Sequence, residues 1–267
     1  MNVATSQACD LYYEETGAGP PILLIHPSGA TAATWGSLID ELAPAGSVIT
    51  YDRRGYARSG GVPVHCVSMH TTDAAALVEY LGAAPAVVVG TSAGGIIAID
   101  LAVRRPDLVQ AVVAHEAPWQ MTHHLPTASQ VGVFTKMGWR TLRRRPGDAA
   151  EALLRAAYAY RDGGTAWDAF PEKWRRLARE NAHATLADFR NSIGSYPSAA
   201  ELATISRPVV CSYGARSPAF MSGLVRSLAA AIPTATTQQI EGAAHAAPFD
   251  APRNFVQLIK EVCCADA

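Results

Sequence analysis

Short apolar runs that alternate with longer amphipathic ones constrain the fold of this chain more than any other feature. The runs are "PILLIH" (21–26), "SVITYD" (47–52), "AVVVG" (86–90), "VQAVVAH" (109–115), "PVVCSYG" (208–214) and "ATTQQI" (235–240). Runs of this length, rich in Val and Ile and separated by helical segments, are typical of buried parallel strands joined by crossover helices. The pattern predicts an α/β fold with a mostly parallel sheet and helices on both of its faces.

Helices are predicted where apolar residues recur three or four positions apart. In the regular part of the chain, these segments are 68–82, 93–105 and 250–262. From Trp119 to about Ile205 the alternation stops, and only helical patterns follow, at 135–145, 148–160, 171–182 and 185–196. We interpret residues 119–205 as a helical cap inserted into a core made of residues 1–118 and 206–267.

Composition favours a small-molecule ligand. The chain has 22 Lys and Arg against 23 Asp and Glu, so no strong net charge attracts nucleic acid or an anionic membrane. Its five cysteines are odd in number and have no repeated spacing, which argues against a disulfide framework or a zinc module. The N-terminus has no signal-peptide pattern, and no apolar stretch is long enough to span a membrane. We expect a cytoplasmic protein, monomeric or homodimeric, with no nucleic-acid or membrane partner.

A serine lies at the centre of the pentapeptide Gly90-Thr91-Ser92-Ala93-Gly94, between a predicted buried strand and a predicted helix. In a G-x-S-x-G turn of this kind the chain reverses so sharply that small residues must flank the serine. The hydroxyl is then exposed above the sheet, and the next backbone N–H faces a substrate. The pentapeptide alone leaves open a second interpretation, in which the glycines only permit close packing of a turn.

Further residues are needed for Ser92 to act as a nucleophile. His245 lies in a loop of small residues after the last predicted strand. In proteins with a G-x-S-x-G turn of this kind, the histidine base comes late in the chain, after the serine and the acid, and His245 has that position. The loop "HPSGAT" follows the first apolar run, and the Ser28 N–H is the natural partner of the Ala93 N–H in an oxyanion hole. We therefore predict Ser92, His245, Ser28 and Ala93 as one site.

The order of these motifs resembles the α/β-hydrolase superfamily over the whole chain except the cap. The motifs are "HPSG", "YDRRGYARSG" (51–60), "GTSAGG" and "GAAHAAPFDAP". The resemblance implies an α/β-hydrolase fold and a catalytic triad. In that superfamily the residue after the first histidine is usually glycine, whereas this chain has Pro27, which has no N–H and makes Ser28 the expected donor.

The resemblance leaves the acid of the triad in question. Its commonest place is the turn after the seventh strand, where an aspartate follows a glycine by three residues, but here Ser217 follows Gly214. Glu116, just after the run 109–115, occupies the place that haloalkane dehalogenases and zearalenone-type lactone hydrolases use, and "HEAP" is similar to the latter. We predict Glu116 as the acid, with Glu241 and Asp250 beside His245 as alternatives.

The serine argues against the dehalogenases and epoxide hydrolases of the superfamily, which attack with aspartate. We expect a serine hydrolase that cleaves a carboxylic ester or lactone of a small, largely apolar substrate, with no metal and no cofactor. Pro27 and Trp119 are predicted to line the substrate pocket. Two other functions stay open: a cofactor-free perhydrolase or haloperoxidase with the same triad, and a ligand-binding receptor on the same fold.

Overall fold

A central sheet of eight strands organises the computed structural model, which describes residues 2–6, 9–64, 66–119, 145–191 and 196–264. The strands are β1 (Val3–Ser6), β2 (Cys9–Thr16), β3 (Pro21–Ile25), β4 (Ser47–Tyr51), β5 (Ala86–Thr91), β6 (Val109–His115), β7 (Val209–Gly214) and β8 (Ala235–Ile240). They lie in the order β1-β2-β4-β3-β5-β6-β7-β8. β1 and β2 pair antiparallel, as do β2 and β4, and all other pairs are parallel. All the predicted strands and the α/β class are therefore confirmed.

The helices of the described residues cover both faces of this sheet. They are α1 (Leu38–Leu42), α2 (Val67–Tyr80), α3 (Ala93–Arg104), α4 (Pro146–Ala157), α5 (Ala166–Ala169), α6 (Glu172–Glu180), α7 (Ala182–Asn191), α8 (Ala199–Leu202), α9 (Ala219–Ala230), α10 (Ala247–Asp250) and α11 (Pro252–Cys264). Short 3₁₀ helices occupy Ala32–Trp35 and Pro106–Leu108.

Alternation along the central strands divides the core into two layers. In β5, Val88 packs with residues of α2, α3 and α9, whereas Val87 and Val89 pack with residues of α1 and α11. Strands that are buried on both faces need apolar residues at successive positions, which is why they appear in the sequence as continuous runs.

The last strand departs from the prediction of a buried strand. β8 pairs parallel to β7, but it forms the edge of the sheet, and four of its six residues are exposed. Its sequence, "ATTQQI", carries polar residues because an edge strand has only one neighbour and is open to solvent.

Helices α4–α8 lie between β6 and β7, in the segment that the sequence analysis interprets as a helical cap. We call α4–α7 the cap helices. The predicted helix at 135–145 lies outside the described residues except at its last position. Leu154 and Tyr158 on one side of the cap and Ala246 of the core belong to one apolar cluster, so the cap helices pack directly above the loop that carries His245.

None of the helices in the described part of the chain combines the length and the apolar character that crossing a bilayer requires.

Candidate active site

The chain reverses between β5 and α3 at Ser92, which has a φ of 52°. Positive φ is uncommon for a residue with a side chain, and such strain concentrates at functional sites. A Cβ on Gly90 would lie 2.1 Å from the carbonyl oxygen of Gly94, and a Cβ on Gly94 would lie 2.1 Å from that of Ile25. The turn therefore requires the glycines that flank the serine in the sequence.

His245 contacts the carboxylate of Glu116. The distance between His245 Nδ1 and Glu116 Oε2 is 2.8 Å. A carboxylate only accepts, so we assign the proton to Nδ1, which leaves Nε2 able to accept a proton from another group. Ser92 and His245 line the same cavity. The structure thus brings together Ser92, His245 and Glu116, although they lie far apart in the sequence.

Glu116 is fully buried directly after β6, with a φ of 45°. Its N–H donates to the Ser212 carbonyl at 2.9 Å, and its Oε1 accepts from the Gly214 N–H at 2.9 Å. Burial on its own would raise the pKa of Glu116, but the hydrogen bond to His245, among other interactions, lowers it to about 2. The carboxylate is therefore ionised at neutral pH.

Ser217 supports this carboxylate. Its hydroxyl, which stands where the superfamily usually has an aspartate, donates its single proton to Glu116 Oε1. Ser217 is buried as well, so both oxygens of the Glu116 carboxylate have donors.

The two alternative acids accept hydrogen bonds from other groups. Asp250 accepts from the Ala244 N–H at 3.0 Å and from the Tyr160 hydroxyl at 2.8 Å. Glu241 accepts from the side chain of Gln239 at 2.9 Å. Among the described residues, Glu116 is the carboxylate that hydrogen-bonds to His245.

His115 holds the loop that carries His245. A carbonyl only accepts, so His115 Nε2 donates to the Ala244 carbonyl at 3.0 Å, and Nδ1 accepts from the Ser212 hydroxyl at 3.0 Å. Burial lowers the pKa of His115, which keeps the ring neutral. His115 is thus a structural residue that holds Ala244, the neighbour of His245.

His26, the first residue of the loop after β3, holds this loop through hydrogen bonds of both ring nitrogens. The Arg53 N–H donates to His26 Nε2 at 3.0 Å, so Nδ1 carries the proton and donates to the Pro27 carbonyl at 2.8 Å. Burial and the neighbouring Arg53 guanidinium lower the pKa of His26 to about 3, so the imidazole is neutral.

The two expected oxyanion-hole residues line the same cavity as Ser92. Ala93 is the first residue of α3, where a backbone N–H has no carbonyl partner within the helix. Ser28 lies in the loop after β3, and its hydroxyl donates to Asp188 Oδ2 at 2.7 Å. Because that hydroxyl proton is donated to Asp188, the Ser28 hydroxyl is not a further donor for a substrate oxyanion.

A comparison with known families agrees with the observed fold. A family model described as alpha/beta hydrolase fold matches residues 20–252. The chain belongs to the alpha/beta hydrolase fold family. This alpha/beta hydrolase is 36% identical over 110 residues to the uncharacterized hydrolase YraK of Bacillus subtilis, which is 40% of this chain and 41% of that protein. It is 30% identical over 166 residues to the putative carbamate hydrolase RutD of Agrobacterium fabrum, 61% of this chain and 59% of that protein.

Solved structures match the alpha/beta hydrolase over nearly its whole length. The enol-lactonase of Burkholderia xenovorans has a TM-score of 0.80 and 20% identity, with 98% of this chain and 99% of that chain covered. The thermophilic esterase of Thermogutta terrifontis has a TM-score of 0.78 and 23% identity, with 97% and 96% covered. At such identity the likeness shows the fold alone. The chain spans about two fifths of the length of YraK, so the curated matches cover only part of each relative.

Two cavities of the protein lie side by side at His245. The first contains Ser92, Ser28 and Ala93, and its other walls come mainly from the cap helices, including Leu153 and Phe189. The second is apolar and is lined by aromatic rings. These include Trp35, Tyr158, Trp167, Phe170, Trp174 and Phe249. Leu154, Tyr158 and His245 border both cavities, so the aromatic cavity lies directly beside the cavity that contains Ser92.

The two residues predicted to line the pocket have different positions. Pro27 borders the aromatic cavity. Trp119, in contrast, is buried in the core, where its indole N–H donates to the Pro197 carbonyl at 2.8 Å, and it borders neither of these two cavities. These two cavities therefore give the prediction for Trp119 no support, and nearness to Glu116 in the sequence does not determine which way a side chain points. Trp174 and Trp167 of the cap line the aromatic cavity instead.

Within the described residues, no group of three or more His, Cys, Asp or Glu side chains is arranged to hold a metal ion.

Proposed function

We propose that this protein is a serine hydrolase that cleaves a carboxylic ester or lactone through an acyl-enzyme on Ser92. The observation that carries the proposal is the hydrogen bond between His245 Nδ1 and the buried carboxylate of Glu116, in a cavity shared by His245 and Ser92. A nucleophile, a base and an acid that orients the base are the three parts of a catalytic triad.

In the first half of the proposed reaction, Ser92 Oγ attacks the substrate carbonyl carbon while His245 Nε2 takes the hydroxyl proton. The carbonyl oxygen becomes negatively charged and is stabilised by the N–H groups of Ser28 and Ala93. His245 then gives the proton to the departing alcohol oxygen, and the carbon–oxygen bond breaks. Glu116 keeps the imidazole oriented and stabilises its positive charge during both transfers.

In the second half, water attacks the acyl carbon while His245 takes a proton from the water. A second oxyanion forms in the same place, and its collapse releases the carboxylic acid and returns the proton to Ser92. For a lactone, the alcohol and the acid are parts of one product molecule. Both halves use only Ser92, His245, Glu116 and the two N–H groups.

The substrate class is argued from the cavity walls. Ring centroids of Phe170 and Phe249 lie 5.0 Å apart, and those of Trp174 and Phe249 lie 5.8 Å apart, in edge contacts typical of an aromatic cluster. A pocket of this kind favours an apolar substrate portion. The names of the solved relatives, an enol-lactonase and a thermophilic esterase, agree with ester-type chemistry.

A second candidate is perhydrolysis or halide oxidation with the same triad, where hydrogen peroxide replaces water. The observation in its favour is the match to the putative non-heme bromoperoxidase BpoC of Mycobacterium tuberculosis, 36% identical over 106 residues, which is 39% of this chain and 40% of that protein. The same triad serves both reactions, so the choice of acceptor must be measured.

A fluorophosphonate probe and a substrate panel test the proposal together. We expect the probe to label Ser92 alone, because only an activated hydroxyl beside its base reacts quickly. The panel holds p-nitrophenyl esters and lactones of graded size, assayed with and without peroxide and bromide. Hydrolysis faster than bromination supports the ester hydrolase, and the reverse supports the haloperoxidase. Labelling at Ser28 or at a cysteine, or an unlabelled protein that binds esters without turnover, contradicts the proposal.

A variant in the aromatic cavity tests the substrate pocket. Trp174→Ala is expected to raise KM for bulky apolar esters about 10-fold, since burying an aromatic ring is worth about 1.5–3 kcal/mol, while kcat changes little. KM for acetyl esters of small alcohols should change much less, so the preference between large and small substrates shifts.

Trp119→Ala is the matched control. It removes a tryptophan from the core, where such a truncation costs about 3–5 kcal/mol of unfolding free energy, and it should leave the preference between substrates unchanged. If Trp119→Ala shifts the preference and Trp174→Ala does not, the aromatic cavity is not the substrate pocket.

A further inference from the structure

A buried carboxylate of the cap, outside the triad, joins the cap to the loop of the expected oxyanion hole. Asp188 on α7 accepts from Arg53 Nη2 at 2.6 Å, from the Tyr56 hydroxyl at 2.7 Å and from the Ser28 hydroxyl at 2.7 Å. The Nε2 of His70 lies 3.4 Å from its other oxygen. The three donors come from two segments of the core and His70 from a third, whereas Asp188 is a single residue of the cap helices.

The ionisation of Asp188 makes these hydrogen bonds strong. Burial alone would raise the pKa of Asp188, but the charge of the buried Arg53 guanidinium lowers it far below its ordinary value. Hydrogen bonds to an ionised acceptor are shorter and stronger than neutral ones. The Ser28 hydroxyl is therefore firmly held, and its hydrogen bond is donated to Asp188 and not to a substrate.

The loop also contacts the cap at its next residue. Gly29 has a φ of 74°, and a Cβ there would lie 2.5 Å from the side chain of Leu154 on α4. Residues 27–29 are thus held from below by the His26 bond to Pro27 and from above by two cap helices. These contacts restrain the backbone of the loop on both sides of Ser28.

We propose that Asp188 is a positioning residue for the oxyanion hole: by accepting the Ser28 hydroxyl, it fixes the Ser28 backbone so that its N–H meets the developing oxyanion. The inference rests on the proposed serine hydrolase. It makes the rate of the chemical step depend on the cap, which would otherwise affect only substrate binding. Oxyanion donors must lie about 2.7–3.1 Å from the charged oxygen, so a small displacement of this loop weakens stabilisation of the transition state.

Two variants that each remove one donor from the same carboxylate oxygen test the inference. Ser28 and Tyr56 both donate to Asp188 Oδ2 at 2.7 Å, but only Ser28 lies in the oxyanion loop. We expect Ser28→Ala to lower kcat roughly 10- to 100-fold and to leave KM within about twofold. The loss should not exceed about 100-fold, the smallest effect of removing an oxyanion donor outright, because the variant keeps the Ser28 N–H and only loses its restraint. Ser28→Thr, which keeps a hydroxyl, should recover most of that loss. Tyr56→Phe should keep kcat within about threefold.

Binding of a trifluoromethyl ketone gives a second measurement. Ser92 adds to this ketone and forms a stable oxyanion, so Ser28→Ala should weaken its inhibition by the same factor as kcat, whereas Tyr56→Phe should not. Asp188→Asn should resemble Ser28→Ala, and the double variant should be no slower than Asp188→Asn alone. Since Asp188→Asn leaves the Arg53 charge unpaired in the interior and can prevent folding, the Ser28 and Tyr56 variants decide the result.

Each outcome bears on a different claim. If the wild type is active and Ser28→Ala and Tyr56→Phe have the same kcat as the wild type, the positioning role is overturned. The proposed serine hydrolase function is then unaffected. A raised KM with unchanged kcat in Ser28→Ala also overturns the positioning role, because the hydroxyl would then serve substrate binding. A wild type that neither turns over the ester panel nor reacts with the probe at Ser92 overturns the proposed function, and the inference with it.

Discussion

Ser92→Ala is expected to lower kcat for the best ester of the panel by about 10⁶-fold, the size of the loss when the nucleophile of a serine protease is removed. Without Oγ no acyl-enzyme forms, and His245 has no hydroxyl to deprotonate. A residual rate above that of water is expected from the oxyanion hole and from substrate binding. Steady-state kinetics on protein of verified purity, with single-turnover measurements for the weak variant, gives the ratio.

Ser222→Ala is a suitable control for this loss. The Ser222 hydroxyl donates to the Ala219 carbonyl within the first turn of α9, away from the site, so its removal should leave kcat unchanged. Ser92→Ala should keep the unfolding temperature near that of the wild type and still bind the product acid. Turnover within 100-fold of the wild type would mean that another group is the nucleophile.

Glu116→Gln is expected to lower kcat by about 10⁴-fold, as the corresponding change from acid to amide does in a serine protease. The amide has the shape of the carboxylate but no charge to stabilise the imidazolium. If the NH₂ group faces His245, it donates to Nδ1 and selects the other imidazole tautomer. If it faces the Gly214 N–H instead, the amide oxygen still accepts from His245, but a hydrogen bond to Gly214 is lost. Rates across the ester panel measure the effect.

Ser217 supplies both the control and the rescue. Ser217→Ala removes one donor to Glu116 Oε1 and should stay within about tenfold of the wild type, since the carboxylate keeps its charge and its hydrogen bonds to His245 Nδ1 and the Gly214 N–H. Ser217→Asp in the Glu116→Gln background returns a negative charge to the same pocket and should restore part of the lost rate. Nearly full turnover by Glu116→Gln would show that the acid has been assigned wrongly.

The central part of the fold could be predicted from sequence because burial on both faces of a sheet requires continuous apolar runs. β3 to β7 have such runs, and the glycines near Ser92 reflect a turn with no room for a Cβ. The first two strands could not be predicted in this way. β1 and β2 form the antiparallel edge of the sheet, and β2 carries charged residues in "CDLYYEET", so neither strand has the apolar signal of a buried one.

The candidate site divides in a similar way. Residues that lie in short motifs, such as Ser92 and His245, are recognisable because the local chain has to adopt a special turn or loop. The contact between Ser28 and Asp188 joins residues 160 positions apart, and nothing in the sequence near Asp188 indicates its partner. The direction of the Trp119 side chain is likewise set by packing against a distant segment, which the pattern of the chain does not record.

The ion pair between Arg53 and Asp188 has a consequence for how molecules enter and leave. Both side chains are almost completely buried, and separating them in the interior leaves charges without partners, which costs several kcal/mol. We therefore expect helix α7 to be the anchored side of the cap helices and an opening motion there to be costly. On the other side, α6 and α10 meet through the rings of Trp174 and Phe249, which can slide and rotate without stranding a charge. We expect substrate and product to enter and leave the cavity where Trp174 contacts Phe249, while α7 stays in place and the other cap helices move.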